Sequence, residues 1–319
     1  MIASTPNSPR FVARPGIVPF AIAISVLNLL GHTVLGFEQA WLHPIVSLAT
    51  GYFCELLVEL LLRGWQAARF RGGPRNLVLF LLPAHITSLA VAMLLYANER
   101  FLVVAFATAL AIFSKTFFRV AVPSHPGSTV HFMNPSNLGI AVTLLLFSGW
   151  VGVAQPYQFT EGLYGIGDWL LPLLICCSGS MLNWRATKRL PLIAAWLLGF
   201  AAQATLRWLA TDQTLASLLA PMTGTAFVLF TFYMITDPMT TPTRASRQVV
   251  FGLSVAAVYG AITYAGVVFG LFFSLSLVCA CRGLLMHLES GRLAPAPTPA
   301  SHAGELGPAA VAAARVQQS

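Results

Sequence analysis

Long apolar blocks separated by short polar connections make up most of the chain. Each block is about 18–22 residues long, which is the length that a helix needs to cross the roughly 30 Å hydrocarbon layer of a bilayer. The pattern therefore predicts an all-α polytopic membrane protein of about ten transmembrane helices. The blocks fall at residues 17–36, 42–62, 77–96, 101–120, 136–154, 169–183, 190–209, 217–236, 248–264 and 267–286.

The two ends of the chain differ from these blocks. Residues 1–15 are polar and basic, and we expect them to form a cytoplasmic N-terminal segment. The first block is too long for the apolar core of a signal peptide, so residues 16–288 are predicted to be the transmembrane domain. Residues 289–319 are rich in Ala and Pro, which is typical of a disordered tail, here a cytoplasmic one.

Basic residues alternate between connections and predict the orientation. Connections that follow even-numbered blocks are basic, and on the opposite connections only Arg100 and Arg207 oppose this trend. The opposite connections carry the acidic residues Glu38, Glu99, Glu161, Asp168 and Asp212. By the positive-inside rule the basic side is cytoplasmic, which places both termini in the cytoplasm of a bacterial inner membrane. The basic residues of these connections are Arg63, Arg69, Arg71, Arg75, Lys115, Arg119, Arg185, Lys188, Arg189, Arg244 and Arg247.

Composition excludes a soluble globular domain, because 57% of the residues are hydrophobic and only 9% are charged. The formal net charge of +8 comes from basic residues that are predicted to line the cytoplasmic face, where anionic lipid headgroups are their neighbours. The bilayer is therefore the expected partner, and no nucleic acid is needed to explain the charge. No metal site is expected, because the five cysteines lack zinc-site spacing; an iron–sulfur cluster shared with another subunit is the alternative. They are Cys54, Cys176, Cys177, Cys279 and Cys281.

Carboxylates inside the second block are candidates for an ion or proton pathway. Glu55 and Glu59 lie one turn apart on one helical face, and Arg63 follows one turn later. Glu59 and Arg63 form either a snorkelling pair at the cytoplasmic end or part of the pathway. Glu55 lies deeper, at about the depth of His85 in the next block. This depth predicts a Glu55–His85 hydrogen bond, with either a structural or a functional role.

The connection between the fourth and fifth blocks carries a second candidate site. Lys115 stands at its start, and Asn134 and Asn137 stand where the fifth block begins. Asn before an apolar run is a good N-cap, which is the structural interpretation. Backbone amides at such a helix start can also bind an anion or a ring carbonyl.

The connection between the eighth and ninth blocks combines hydroxyls with basic residues. Asp237 precedes a proline, which ends the helix there. Thr240, Thr241 and Arg247 follow, a combination that suits a phosphate or carboxylate. The alternative interpretation is a basic cytoplasmic loop without a binding role, which the positive-inside rule alone would predict here.

Two of these segments resemble the RnfD/NqrB family, the flavin-carrying membrane subunits of ion-coupled electron-transport complexes. One is S-K-T-F with the later H-F-M-N-P-S-N-L-G-I-A-V, which is similar to the family's lysine-containing span end and its loop into the fifth span. The more specific one is F-Y-M-I-T-D-P-M-T-T-P-T-R-A-S-R-Q-V-V-F-G. The resemblance covers most of the chain from the second span onward and implies ten spans. It also implies a cofactor site formed by Lys115, Asn134, Asn137, Asp237, Thr240, Thr241 and Arg247.

The resemblance further implies a flavin, which family members attach to a threonine in an S/D-G-A-T-like sequence of an outer loop. Here that loop is Q-P-Y-Q-F-T-E-G-L-Y-G-I-G-D, and its one threonine, Thr160, stands in a different sequence. We therefore expect FMN or riboflavin, if it is bound, to be held without a covalent bond. The short form is similar to stand-alone RnfD-like proteins of secondary-metabolite clusters, including those for enediynes.

Three functions follow as hypotheses. The first is a redox subunit that works with other membrane or redox subunits in a translocase-type complex, with no catalytic residues of its own. The second is a small-solute channel or transporter, for which a weak similarity between the third and eighth blocks indicates two inverted five-helix repeats. The third is a membrane scaffold for a biosynthetic complex.

Overall fold

The computed structural model describes residues 16–64, 73–121, 129–155, 160 and 162–293. The predicted N-terminal segment, nearly all of the predicted tail, Arg69, Arg71 and Glu161 lie outside this part of the chain. The helices and short strands are α1 Ile17–Thr33, α2 Leu42–Arg63, α3 Gly73–Leu94, β1 Leu95–Tyr96, α4 Phe101–Phe117, β2 Arg119–Ala121, β3 Thr129–His131, α5 Pro135–Leu146, β4 Gly152–Val153, α6 Ile166–Leu182, α7 Leu190–Ala210, α8 Leu215–Leu219, α9 Thr225–Leu229, α10 Ala245–Tyr264 and α11 Gly270–Leu293.

Six helices in the described ranges are long and apolar enough to cross a membrane, and this confirms an all-α polytopic membrane protein. They are α2, α3, α6 with the π-helical turn that extends it to Thr187, α7, α10 and α11. A seventh span results if α8, extended by the 3-10 turn Ala220–Thr223, and α9, extended by the π-helical turn Phe230–Met234, are counted as one broken helix. The apolar helices α1, α4 and α5 are shorter, with 17, 17 and 12 residues. The count of ten spans and the inverted repeat remain predictions.

Two predicted blocks have a different shape in the structure. The block at 217–236 is not straight, because its two halves meet at Gly224 with a bend of 65°. The block at 136–154 is helical only to Leu146, since the chain then turns and Gly152 pairs with Tyr96 in the small sheet of β1 and β4. The backbone groups of the apolar residues after Leu146 therefore form hydrogen bonds in a turn and a strand pair instead of a helix. Hydrophobicity alone does not distinguish these two structures.

Small residues bring the helices close together. A Cβ added to Gly252 of α10 would lie 2.7 Å from the carbonyl oxygen of Leu192 in α7. A Cβ added to Gly139 of α5 would lie 2.4 Å from the carbonyl oxygen of Ala107 in α4. The largest fully buried side chain, Trp196 of α7, packs against Phe227 and Tyr259 and donates to the Thr231 hydroxyl at 3.0 Å.

Candidate functional site

A cavity of about 710 Å³ opens where α2 and α4 end, and it contains several of the predicted site residues. Its wall along α3 reaches from Phe80 to Leu94, which corresponds to about 21 Å of helix. Five predicted residues line it together: Lys115, Asn134 and Asp237 from the predicted cofactor site, and Glu55 and Glu59 from the predicted ion pathway. The two sites that the sequence suggested separately are therefore parts of one chamber.

Two ion pairs lie on the α2 side of the cavity. The Lys115 ammonium of α4 donates to the Glu55 carboxylate at 3.2 Å, and both side chains are largely buried. Arg63 donates to Glu59 at 3.4 Å, where the glutamate is buried and the arginine is 55% exposed. The i, i+4 interaction predicted for Glu59 and Arg63 is confirmed. The buried charge of Lys115 is thus balanced by a carboxylate inside the chamber.

His85 does not meet Glu55, so the predicted hydrogen bond between them is wrong. One ring nitrogen of His85 is 2.6 Å from the Tyr52 hydroxyl and the other is 2.7 Å from the Ser25 hydroxyl. Lys115 is the partner of Glu55 instead. Sequence spacing indicated equal depth in the membrane, but it could not indicate on which side of α2 each neighbouring helix lies.

The start of α5 has the predicted cap. The Asn134 side-chain oxygen accepts from the Asn137 backbone N–H at 3.0 Å, and the Asn134 amide donates to the Met234 carbonyl at 3.0 Å. Asn134 therefore ties α5 to the segment after α9 while it lines the cavity. Asn137 lies behind it, fully buried, and its amide donates to the Phe272 carbonyl and the Ser276 hydroxyl. Asn137 thus holds α11 and does not line the cavity.

The turn after α9 is organised by Asp237. Its carboxylate accepts from the Met239 backbone N–H at 3.1 Å and from the Thr240 hydroxyl at 3.0 Å. The Thr241 hydroxyl donates to the Asp237 carbonyl at 2.6 Å. Thr240 and Thr241 are buried behind the turn and only Asp237 of these three lines the cavity. Arg247 is exposed on α10 and also lies outside the cavity lining.

Arg189 stabilises this turn through hydrogen bonds to Thr241 and Pro238. The sequence did not identify it as a site residue. It is 4% exposed, and its guanidinium donates to the Thr241 hydroxyl at 2.8 Å and to the Pro238 carbonyl at 3.3 Å. Burial lowers the pKa of Arg189 from its usual value, and the Asp237 carboxylate opposes this shift. The sequence shows Arg189 only as one of several basic residues before α7, and nothing in it marks this residue as buried.

Thr160, the one threonine of the loop that was predicted to lie outside, is not part of the chamber lining. Its carbonyl accepts from the Leu163 backbone N–H at 3.0 Å, and its side chain is partly exposed. The neighbouring Glu161 lies outside the described residues.

Fold and cavity together define a polytopic all-α membrane protein with a charged chamber at one end of its helices. No protein-family model matches the chain. A stretch of 142 residues is 27% identical to a subunit of the ion-translocating oxidoreductase complex of Yersinia enterocolitica. The match covers 44% of this chain and 40% of that relative's length, so the chain matches less than half of it.

Proposed function

We propose that this chain is an RnfD/NqrB-like membrane subunit of a flavin-dependent, ion-translocating electron-transport system in a bacterial inner membrane. The partial similarity to a subunit of an oxidoreductase complex supports the class. The observation that carries the proposal is the single chamber that joins Lys115, Asn134 and Asp237 to the carboxylates Glu55 and Glu59. We expect the chain to work with other membrane or redox subunits.

The chamber suits a flavin in size and in chemistry. Its volume lies within the range of cofactor pockets, which hold a few polar groups on a largely apolar wall. Phe20 and Tyr233, whose ring centroids are 5.3 Å apart, provide an aromatic part of the wall. Lys115 and Arg119 provide positive charge for a phosphate or for a ring that carries negative charge. A bound flavin supplies electron transfer, and FMN or riboflavin held without a covalent bond is the form that we propose.

The ion pathway is proposed to begin at the same chamber. Glu55 and Glu59 offer buried carboxylates next to the cofactor position, where an ion or proton can balance a change in cofactor charge. Tyr52 and His85 lie one turn deeper along α2 and α3 and offer a relay of exchangeable protons. Electron transfer and ion movement would then be coupled by electrostatics within one chamber.

Flavin binding tests the proposal. The protein purified in mild detergent should show flavin absorbance, and Lys115→Met should reduce the bound flavin several-fold because it removes the buried cation of the chamber. Arg247→Met is the matched control, since Arg247 is an exposed cation outside the cavity lining, and it should retain flavin. After denaturing electrophoresis the band should not fluoresce. A fluorescent band that is lost in Thr160→Ala, or equal flavin loss in the Lys115 and Arg247 variants, would contradict the proposed site.

A small-solute transporter is the second candidate, and the broken helix favours it. The α8–α9 pair bends by 65° at Gly224, and half-helices that meet within a bilayer are typical of transporter binding sites. Solute flux in liposomes made with flavin-free protein would support this function over the redox function.

A further inference from the structure

The chamber of Lys115 and Glu55 continues into an apolar arm between α1 and α3, away from its charged mouth. Ile17 and Leu27 are ten residues apart on α1, so the arm is about 15 Å deep. One leaflet contributes about half of the roughly 30 Å hydrocarbon layer, which is the same depth. The walls of the apolar arm include Ile17, Ile24 and Leu27 of α1 and Ile86, Ala90 and Met93 of α3.

The wall of the apolar arm offers little to a polar ligand. Among the described residues of α1, α3 and α9 that line it, only Thr87 is polar, and its hydroxyl donates to the Pro83 carbonyl at 2.8 Å. A cavity with such a wall excludes water and accepts apolar ligands. In a bilayer, acyl chains are the apolar molecules that surround the protein, so they are the natural occupants of this space.

Arg119 lies at the mouth of the chamber, where α4 ends, and has the chemistry to bind an anion. Its guanidinium donates to the Thr129 hydroxyl and carbonyl, each at 2.7 Å, and to the Lys115 carbonyl at 2.9 Å. These partners are uncharged, whereas Lys115 and Arg63 are paired with carboxylates. A guanidinium has five N–H groups, so further donors remain for an anion. The side chain is exposed, which lets a headgroup at the membrane surface reach it.

We propose that the apolar arm binds one acyl chain of an anionic membrane amphipath whose carboxylate or phosphate lies at Arg119. A free fatty acid and a phospholipid chain share this chemistry. The charged mouth and the depth of the arm match such a molecule, because its head then lies at the interface and its chain runs to the middle of the bilayer. The arm extends beyond Lys115, Asn134 and Asp237, the polar residues proposed for the flavin, and its occupant can be detected without flavin.

Photolabelling of the purified protein tests the ligand. A fatty acid and a phosphatidylglycerol, each with a diazirine at the chain end, are added separately, and labelled residues are identified by mass spectrometry. The label should fall on Leu27, Met93 or Leu94 at the end of the arm, and excess unlabelled lipid should suppress it. Arm labelling by the fatty acid alone identifies a free fatty acid, and arm labelling by the phospholipid identifies a membrane lipid. A label confined to lipid-facing residues such as Ile22 and Leu29, which are 59% and 61% exposed, overturns the proposal.

Variants that fill the arm test its location. Ala90→Phe on α3 and Ala23→Phe on the facing wall of α1 should each reduce arm labelling several-fold, because the added ring occupies the space of the chain. Val78→Phe and Ile22→Phe are the matched controls on the same two helices, at positions that are 58% and 59% exposed, and they should retain the label. Labelling that persists in both arm variants, or is lost equally in the controls, would contradict an acyl chain in this arm.

The headgroup contact has its own test. Arg119→Met should weaken labelling by both anionic probes several-fold, while Arg75→Met, an exposed cation outside the chamber lining, should leave it unchanged. An equal effect of the two variants would overturn the assignment of the head to Arg119. Flavin is measured separately on the same preparations. Saturable arm labelling without flavin would count against the redox function alone, and bound flavin without arm labelling would count against the lipid site alone.

Discussion

At the scale of single residues, Glu55 and Lys115 depend on each other. Both are largely buried in the wall of the chamber, where an unpaired charge is strongly disfavoured. We expect Glu55→Gln to lower the free energy of unfolding in detergent by about 1–3 kcal/mol, because it leaves the Lys115 ammonium without its carboxylate. The double variant with Lys115→Met should lose less than the sum of the two single losses.

Glu99→Gln is the control for this pair, since Glu99 is exposed to solvent. Its effect should remain below about 1 kcal/mol, the range of solvent-screened charges. Additive losses in the Glu55 and Lys115 variants would show that the two side chains do not interact.

Arg189 should matter more than any neighbouring basic residue. It holds the turn of Asp237 through the Thr241 hydroxyl and the Pro238 carbonyl, and Arg189→Ala would leave the buried Thr241 hydroxyl without its donor. We expect a loss of about 1–3 kcal/mol in unfolding free energy and faster proteolysis between α9 and α10. Arg185→Ala, at an exposed position in the π-helical turn that precedes Arg189, should change neither quantity. Equal sensitivity of the two variants would argue against this support role.

Residue types predicted part of the site, and geometry decided the rest. Lys115, Asn134 and Asp237 stand at helix ends, where sequence patterns are informative, and all three line the chamber. Thr240 has the right chemistry, but its hydroxyl is used by Asp237. The pairing of Glu55 with Lys115 depends on the rotation of neighbouring helices about their axes, which a single sequence does not contain.

At the scale of helices, close approach of α4 and α5 fixes the place of Asn134 in the chamber wall. Gly139 lies one turn after this cap, and an added Cβ would lie 2.4 Å from the Ala107 carbonyl oxygen. Gly139→Ala should therefore push the helices apart and lower the unfolding free energy by about 1–3 kcal/mol, with a loss of bound flavin. Gly149→Ala is the control, because nothing lies within 4 Å of its added Cβ. An unchanged melting temperature in Gly139→Ala would contradict this packing.

Helix positions followed from hydrophobicity, but helix ends did not. The predicted block at 136–154 contains α5, yet α5 ends at Leu146 because the following residues turn and then pair with β1. The bend at Gly224 likewise interrupts an apolar run that the pattern read as one span. Local hydrophobicity averages over such breaks, since a turn within a membrane domain can be as apolar as the helices around it.

At the scale of the whole molecule, the orientation and the number of spans remain predictions, and labelling of single cysteines tests both. The orientation prediction expects positions 70 and 186 to be shielded from an impermeant reagent in intact cells and position 160 to be reachable. Position 160 precedes α6 and position 186 lies in the π-helical turn at the other end of this span, so the two positions should lie on opposite sides. Labelling at 186 but not at 160 would reverse the orientation.

The short helices decide the span count, and one further position distinguishes the alternatives. If α4 and α5 cross the membrane, the connection between them returns to the side of position 70, and position 125 should be shielded. If only the long helices cross, α3 carries the chain outward and position 125 stays outside, where the reagent reaches it. Permeabilised cells are the control, since every position should then react. A shielded position 125 together with a reachable position 160 requires that α5, with its 12 helical residues and the turn after it, completes a crossing. This outcome would also place the chamber of Lys115 and Glu55 at the cytoplasmic face, where soluble electron donors can reach it.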